Sequence, residues 1–189
     1  MPEEMVVQYC APTLAGIKTG NLFRCSYDTE EDARLEISSL NKRLFPKGLC
    51  LLPLSFRNGW VLLYLYRPKL LLQDLSDTRI KELLKAEGYT VDSCKGCGGC
   101  GRTVAELMKK VKMAEDFPHE IGLFLSYPPE DVQGFIENKA ENYKCSGVWK
   151  VYGDEEKAAE LFSKYRLCTE VYRKSYERGF RLEQLAVAG

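Results

Sequence analysis

Apolar positions recur with a helical period in several stretches of the chain. The first clear example begins near Thr29, and acidic residues fill its first turn, where they complement the helix dipole. Its apolar positions are three to four residues apart and are Ala33, Ile37, Leu40 and Leu44. Similar spacing and capping residues predict helices over residues 3–9, 69–87, 103–115, 128–138 and 154–172.

Particular residues mark where some of these helices start, stop or pack. The helix over residues 69–87 is expected in one piece or two, with Asp77 as the candidate internal cap and Gly88 as its stop. Thr103 and Glu106 have the spacing of a capping box at the start of the next helix. Gly134 in the middle of a helix predicts close packing against a neighbour.

Apolar runs too short for helices predict strands. Residues 49–55 and 60–66 flank an Asn58-Gly59 pair, which is the strongest short signal for a β-hairpin. Further strands are predicted over residues 22–25, 121–125 and 147–152. Strands that alternate with helices after an early β-hairpin predict an α/β fold with a mixed sheet and helices packed on that sheet.

Length and charge limit the class of protein. We expect one domain over residues 1–189, with the Cys/Gly-rich residues 88–102 as an inserted loop. Lys and Arg number 27, as do Asp and Glu, so there is no surplus of cations to neutralise nucleic-acid phosphates. The acidic start is unlike a secretory signal, and no apolar run is long enough to span a membrane, so we expect a cytoplasmic protein.

The cysteine cluster Cys94, Cys97 and Cys100 is the strongest chemical signal. Its spacing matches the first three ligands of a bacterial ferredoxin run, but Val104 stands where the fourth cysteine belongs. Grouped thiols in a cytoplasmic protein favour a metal over disulfides, and we therefore expect an iron–sulfur cluster or zinc, with Cys145 as the fourth ligand. Other distant residues that fit that position are Cys10, Cys25, Cys50, Cys168 and His119.

Two other interpretations of this cluster stay open. Cys97 and Cys100 form a C-x-x-C motif ahead of a helix N-terminus, where a thiolate is stabilised for redox exchange, and Lys95 and Arg102 would help. Alternatively, the loop and its thiols have no chemical role.

A second candidate site involves His119, Glu120 and the predicted loop over residues 11–20. His119 has a pKa suited to acid–base chemistry, but its place before a predicted strand favours a capping or core role. In the loop, Thr13 and Lys18 are candidate ligand contacts, although a plain connection fits equally well. The alternative functions are therefore a small-ligand-binding protein or enzyme that uses these residues, and a non-catalytic interaction module.

Several phrases of the sequence together resemble a family of uncharacterised proteins from anaerobic, clostridia-like bacteria. The phrases are CAPTLAGIK (residues 10–18), FPHEIG (117–122), DVQGFIEN (131–138), KCSGVWKVY (144–152), CTEVY (168–172) and EQLAVA (183–188). The family has no established activity. Its genes lie near flavodoxin-like and iron-handling genes, and the resemblance therefore implies anaerobic redox or iron metabolism with a flavodoxin-like redox partner.

The resemblance also implies a second set of cysteines. The family's recurrent cysteines correspond to Cys10, Cys145 and Cys168 of this chain. By contrast, the cluster from Cys94 to Cys100 looks like an addition that is found in this member, or in a subset of the family, and is not shared by the whole family.

Overall fold

Helices and one three-stranded sheet make up the computed structural model, which describes residues 3–91, 99–113 and 116–189. A 3₁₀ turn, Phe45–Lys47, lies between the second helix and the second strand. The other elements, in chain order, are α1 (Glu3–Leu14), β1 (Gly20–Ser26), α2 (Glu30–Leu44), β2 (Cys50–Arg57), β3 (Trp60–Tyr66), α3 (Pro68–Asp74), α4 (Thr78–Ala86), α5 (Gly99–Met113), α6 (Ile121–Phe124), α7 (Pro129–Glu137), β4 (Cys145–Ser146), β5 (Lys150–Val151), α8 (Glu155–Glu177) and α9 (Leu182–Leu185).

The described residues divide into two compact units. The first unit contains residues 3–71 and 167–189, and the second contains the described residues between 72 and 166. The expectation of one domain over residues 1–189 stays a prediction. No helix in the described ranges combines the length and the apolar character that crossing a membrane requires.

The sheet of the first unit is built around the predicted hairpin. Its strand order is β1-β3-β2, with antiparallel pairing on both sides of β3. At the hairpin turn, Asn58 and Gly59 have φ values of 52° and 75°, as a type I′ turn requires of both central residues. The early β-hairpin is therefore confirmed, and so is the α/β class.

Two helices cover this sheet and enclose the core of the first unit. Helix α1 packs on β1, and α2 packs on β2. The predicted apolar face of α2 is buried, with Leu44 fully inaccessible. Leu182 and Leu185 of α9 join the same core, so the segment after α8 completes the unit.

Arg67, directly after β3, ties the ends of several segments together. Its guanidinium donates from Nε to the carbonyl of Thr13 (2.7 Å) and from Nη2 to those of Leu14 (2.7 Å) and Val187 (2.8 Å). Arg67 is 3% exposed, so burial lowers the pKa of its guanidinium. Because two of its acceptors are the last carbonyls of α1, the buried cation lies at the negative end of that helix.

A mixed sheet contains parallel as well as antiparallel pairs, and the described strands pair only antiparallel. The prediction of parallel pairing is therefore wrong. The predicted strand over residues 121–125 is instead helix α6, with local bonds such as Leu123 N–H to Glu120 O (3.0 Å). A short apolar run has the same pattern in a buried helix as in a buried strand. Of residues 147–152, Lys150–Val151 pairs with Cys145–Ser146.

Both predicted ends of α4 are confirmed, and each is marked by a residue directly beside the helix. Asp77 caps α4 by accepting from the backbone N–H groups of Arg79 (2.8 Å) and Ile80 (3.1 Å), and Gly88 ends that helix with φ 81°. The capping box at Thr103 was wrong. Helix α5 begins at Gly99, which places Thr103 inside it with a buried hydroxyl that has no partner among the described residues.

In the second unit, the β4–β5 hairpin is fastened to α7 by the carboxylate of Asp131. The carboxylate is buried and accepts from Trp149 Nε1–H and from the backbone N–H groups of Tyr152 and Gly153, each at 2.7 Å. The predicted close packing at Gly134 is confirmed, because a Cβ there would lie 2.5 Å from Cγ of Tyr152. The hairpin therefore depends on the buried carboxylate of Asp131 and on a glycine at position 134, where any side chain would collide with Tyr152.

We expect Asp131→Ala to lower the free energy of unfolding by about 3 kcal/mol, because the buried Trp149 Nε1–H and two partly buried backbone N–H groups lose their acceptor. The control Asp154→Ala removes an exposed acceptor for Lys157 N–H at the start of α8 and should cost about 1 kcal/mol. Urea unfolding followed by circular dichroism measures both variants. A loss in Asp131→Ala no larger than that in Asp154→Ala would show that the Asp131 network contributes no more than an exposed helix cap.

Candidate functional site

A surface cavity of about 710 Å³ lies in the second unit. This volume falls in the range of small-molecule pockets. Its walls come from the end of α4, from α5, from the segment that leads into α6, and from α7. The lining residues are Glu87, Gly88, Glu106, Lys109, Lys110, Met113, Asp116, Phe117, Pro118, His119, Glu120 and Ile136.

Local folding rules explain how the polar side chains reach this cavity. The left-handed conformation of Gly88 reverses the chain after α4, and the following Tyr89 turns into the interior at 4% exposure. Helix α5 buries Val104, Leu107 and Val111 on one face. Lys110 is partly exposed and lies beside the buried Tyr89.

The polar centre of the site is a cluster of Tyr89, Lys110 and Glu120. Glu120 is 4% exposed, and its Oε1 accepts from the Tyr89 hydroxyl (2.9 Å) and from Lys110 Nζ (3.2 Å). Lys110 Nζ also donates to the carbonyl of Glu87 and lies 4.4 Å from the centre of the Tyr89 ring. A buried carboxylate is thereby paired with one cation and one neutral donor, as burial of a charge requires.

The hydroxyl of Tyr89 acts as a donor throughout the neutral range. Burial raises the pKa of Tyr89 far above its ordinary value of 10, and the neighbouring Glu120 carboxylate raises it further. The phenol therefore stays protonated throughout the neutral range and donates its hydrogen bond to Glu120.

His119 lies at the edge of the same cavity, and its side chain is exposed. Its ring meets Phe135 edge-on, with 4.9 Å between ring centres. The core role favoured from sequence is wrong for this side chain, because that argument assumed a strand after it, where the structure has α6. The structure thus brings His119 and Glu120, two of the predicted candidates, into one cavity lining.

Thr13 and Lys18 belong to the first unit and are buried there. The predicted loop over residues 11–20 is shorter than expected, because α1 continues to Leu14 with Pro12 inside its last turn. That proline leaves the carbonyl of the exposed Gln8 without its helical donor, and water can supply one. The Thr13 hydroxyl lies 2.7 Å from Asn21 Oδ1, and a ligand role for Thr13 and Lys18 stays a prediction.

Lys18 is a buried lysine beside the buried thiol of Cys10. It is 3% exposed, and burial lowers its pKa to about 8, an effect that the nearby Cys10 partly opposes. Burial raises the pKa of Cys10 well above its ordinary value, and Lys18 partly offsets that rise. Cys10 therefore stays a neutral thiol in the native core.

The predicted metal ligands are only partly described. Cys94 and Cys97 lie outside the described residues, while Cys100 is buried in the first turn of α5. Cys145 is partly exposed in β4, and desolvation together with the Glu155 carboxylate raises its pKa. Within the part of the chain that the structure covers, no three His, Cys, Asp or Glu side chains form a metal-binding group, so the four-ligand assignment stays a prediction.

The cluster partners of Glu120 could not be identified from sequence. In the sequence, Tyr89 directly follows the helix stop at Gly88, and Lys110 lies among the lysines on the polar face of its helix. Neither position indicates a contact with Glu120. The Tyr89–Glu120 bond joins residues 31 positions apart, and no local spacing signals such a pair.

The chain matches the family described as "Protein of unknown function (DUF3793)" over residues 6–186, and it belongs to that family. No curated protein and no solved structure matches it. The resemblance to an uncharacterised family is thereby confirmed. The clostridia-like source, the recurrent Cys10, Cys145 and Cys168, and the flavodoxin-like partner stay predictions.

Ionisation of Lys18 should make stability depend on pH in a narrow window. Between about pH 8 and pH 9 the folded chain loses the Lys18 proton while the unfolded chain, with a pKa of 10.5, keeps it. Stability should therefore rise by about 1 kcal/mol across this window, and Lys18→Met should abolish that rise. Above about pH 9 the Cys10 thiol, which ionises at 9.0 only when unfolded, opposes the trend.

The measurement is urea unfolding at closely spaced pH values, with the exposed Lys42→Met on α2 as the matched control. A rise that persists in Lys18→Met, or disappears in Lys42→Met, would contradict the assignment.

Proposed function

We propose that this protein binds a small organic molecule in the cavity of its second unit, with the Tyr89–Lys110–Glu120 cluster as the polar wall and His119 at the entrance. The buried carboxylate of Glu120 on the cavity lining carries the proposal. The protein is then a ligand-binding module, or an enzyme if His119 transfers a proton.

The cost of burying charge supports a binding role for this cluster. Removing a carboxylate from water costs several kcal/mol unless its partners compensate, and hydrophobic residues of similar size stabilise a core at least as well. Ionisable groups held this way on a concave surface are typical of sites that fix the orientation of a ligand.

Exposed apolar groups at the cavity supply a second argument. Met113 is 73% exposed and Phe117 is 43% exposed, and both line the cavity beside Pro118 and Ile136. Apolar surface left in water is unfavourable at about 25 cal/mol per Å², and a ligand with an apolar body would cover it.

His119 provides the chemistry that an enzyme would need. Histidine is the side chain that enzymes use most often for general acid–base catalysis, and His119 is the group through which a bound ligand would be turned over. Its edge-on contact with the Phe135 ring orients the imidazole.

A fragment screen by ligand-observed NMR tests the proposal. Fragments that bind the wild-type protein should bind at least about tenfold more weakly to the double variant Met113→Ala/His119→Ala, which removes two cavity-lining side chains. The matched control is Lys164→Ala/Leu167→Ala on exposed positions of α8. Fragments that bind both variants equally, or that perturb backbone signals only outside the lining, would refute the cavity as the site.

The cysteine cluster supports a second candidate function, an iron–sulfur or zinc site that acts in anaerobic redox or iron metabolism with a flavodoxin-like partner. The spacing of Cys94, Cys97 and Cys100 favours it. So does the position of Cys100 in the first turn of α5, because the positive end of a helix stabilises a thiolate.

Anaerobic purification with metal analysis and a visible spectrum tests this second function. We expect bound iron with a brown colour, or stoichiometric zinc, lost in Cys94→Ser/Cys97→Ser and in Cys145→Ser. Cys50→Ser changes the partly exposed cysteine of β2, which is an alternative fourth ligand, and metal retained in this variant together with metal lost in Cys145→Ser would assign the fourth position to Cys145. Colourless, metal-free protein whose Cys94 and Cys97 react freely with a thiol reagent would exclude the site.

A further inference from the structure

The charges on the cavity lining select one class of ligand. Among the residues that the structure describes, the lining contains four carboxylates, Glu87, Glu106, Asp116 and Glu120, and two lysines, Lys109 and Lys110, a surplus of two negative charges. The whole chain is neutral by the same count, so the surplus is a property of this cavity.

One of the two lysines is already paired within the protein. The ammonium of Lys110 is held by the Glu120 carboxylate at 3.2 Å, by the carbonyl of Glu87, and by the face of the Tyr89 ring at 4.4 Å. These contacts offset its charge, so it attracts an anion less than an unpaired lysine would. Lys109 is exposed and is the other lysine among the described lining residues.

The carboxylates are less engaged than the lysine. Glu106 accepts one bond, from Thr90 N–H at 2.8 Å, and a carboxylate has room for several more. No ion pair joins Glu87, Glu106 or Asp116 to another residue of the described chain. Each of them repels an incoming anion and attracts a cation.

The apolar part of the cavity fits the same class. An aromatic ring can attract a cation to its face, and Phe117 is an exposed aromatic residue of the lining, which also contains the exposed Met113. A compact ammonium next to an apolar body would satisfy the carboxylates and the apolar wall together.

We therefore infer that the ligand of this cavity is an organic cation, an amine attached to an apolar or aromatic body. This inference rests on the proposed binding function and specifies the ligand class for the same site.

Three probes of one shape and different charge test the inference: 2-phenylethylamine, 2-phenylethanol and 3-phenylpropionate. Chemical-shift titrations of the full chain locate and quantify binding. The amine should bind at the lining at least about tenfold more tightly than the other two probes, because the lining carboxylates attract its ammonium, have no charge to attract on the alcohol and repel the carboxylate probe. Its affinity should fall about tenfold in Glu106→Gln/Asp116→Asn, and added salt should weaken it.

The control Glu82→Gln/Glu160→Gln neutralises two exposed carboxylates, on α4 and α8, and should leave the affinity for the amine unchanged. Equal or tighter binding of the alcohol or the carboxylate at the cavity would overturn the cation inference and leave the binding function intact. So would an amine affinity that the Glu106/Asp116 variant does not change. If no probe and no screened fragment perturbs the lining, the binding function itself is overturned, and the inference with it.

Discussion

The first unit depends on one buried cation at the end of its first helix. The guanidinium of Arg67 donates to the final carbonyls of α1 and to the carbonyl of Val187. An arginine suits this position because its five donors point in fixed directions and it keeps its charge even when burial lowers its pKa. The strand end, the helix end and the segment after α9 thereby share one hydrogen-bonding centre, which no apolar residue can replace.

The second unit contains two buried carboxylates with opposite consequences. Asp131 accepts hydrogen bonds from three N–H donors of the protein itself, and these bonds hold the β4–β5 hairpin against α7. Glu120 instead lies on a cavity lining and shares one oxygen between a phenol and an ammonium. Equal burial therefore does not imply an equal role. The difference is whether the surrounding donors close the site or leave it open to solvent.

Local signals explain which parts of the fold were predictable from sequence. The Asn58-Gly59 turn, the Asp77 cap and the apolar face of α2 are each determined by residues a few positions apart, and each is confirmed. The strand predicted over residues 121–125 is wrong, because an apolar run of five residues is too short to show whether its period is that of a helix or of a strand. The capping box predicted at Thr103 is wrong, because the same pair of residue types also occurs by chance inside a helix. Of the candidate site, His119 and Glu120 were identified as reactive types, but their partners Tyr89 and Lys110 become neighbours only through tertiary packing.

The arrangement of the first unit along the chain has a consequence for its synthesis. Its core requires Leu182 and Leu185, which follow the entire second unit in sequence. A ribosome releases α1, the hairpin and α2 long before it releases α9, so the apolar face of the sheet stays incompletely covered while about a hundred further residues are added. The second unit, continuous in sequence, is complete before the first can close. Until residues 182–185 are synthesised, the sheet of the first unit carries exposed apolar surface, and such surface makes an incomplete chain prone to aggregation.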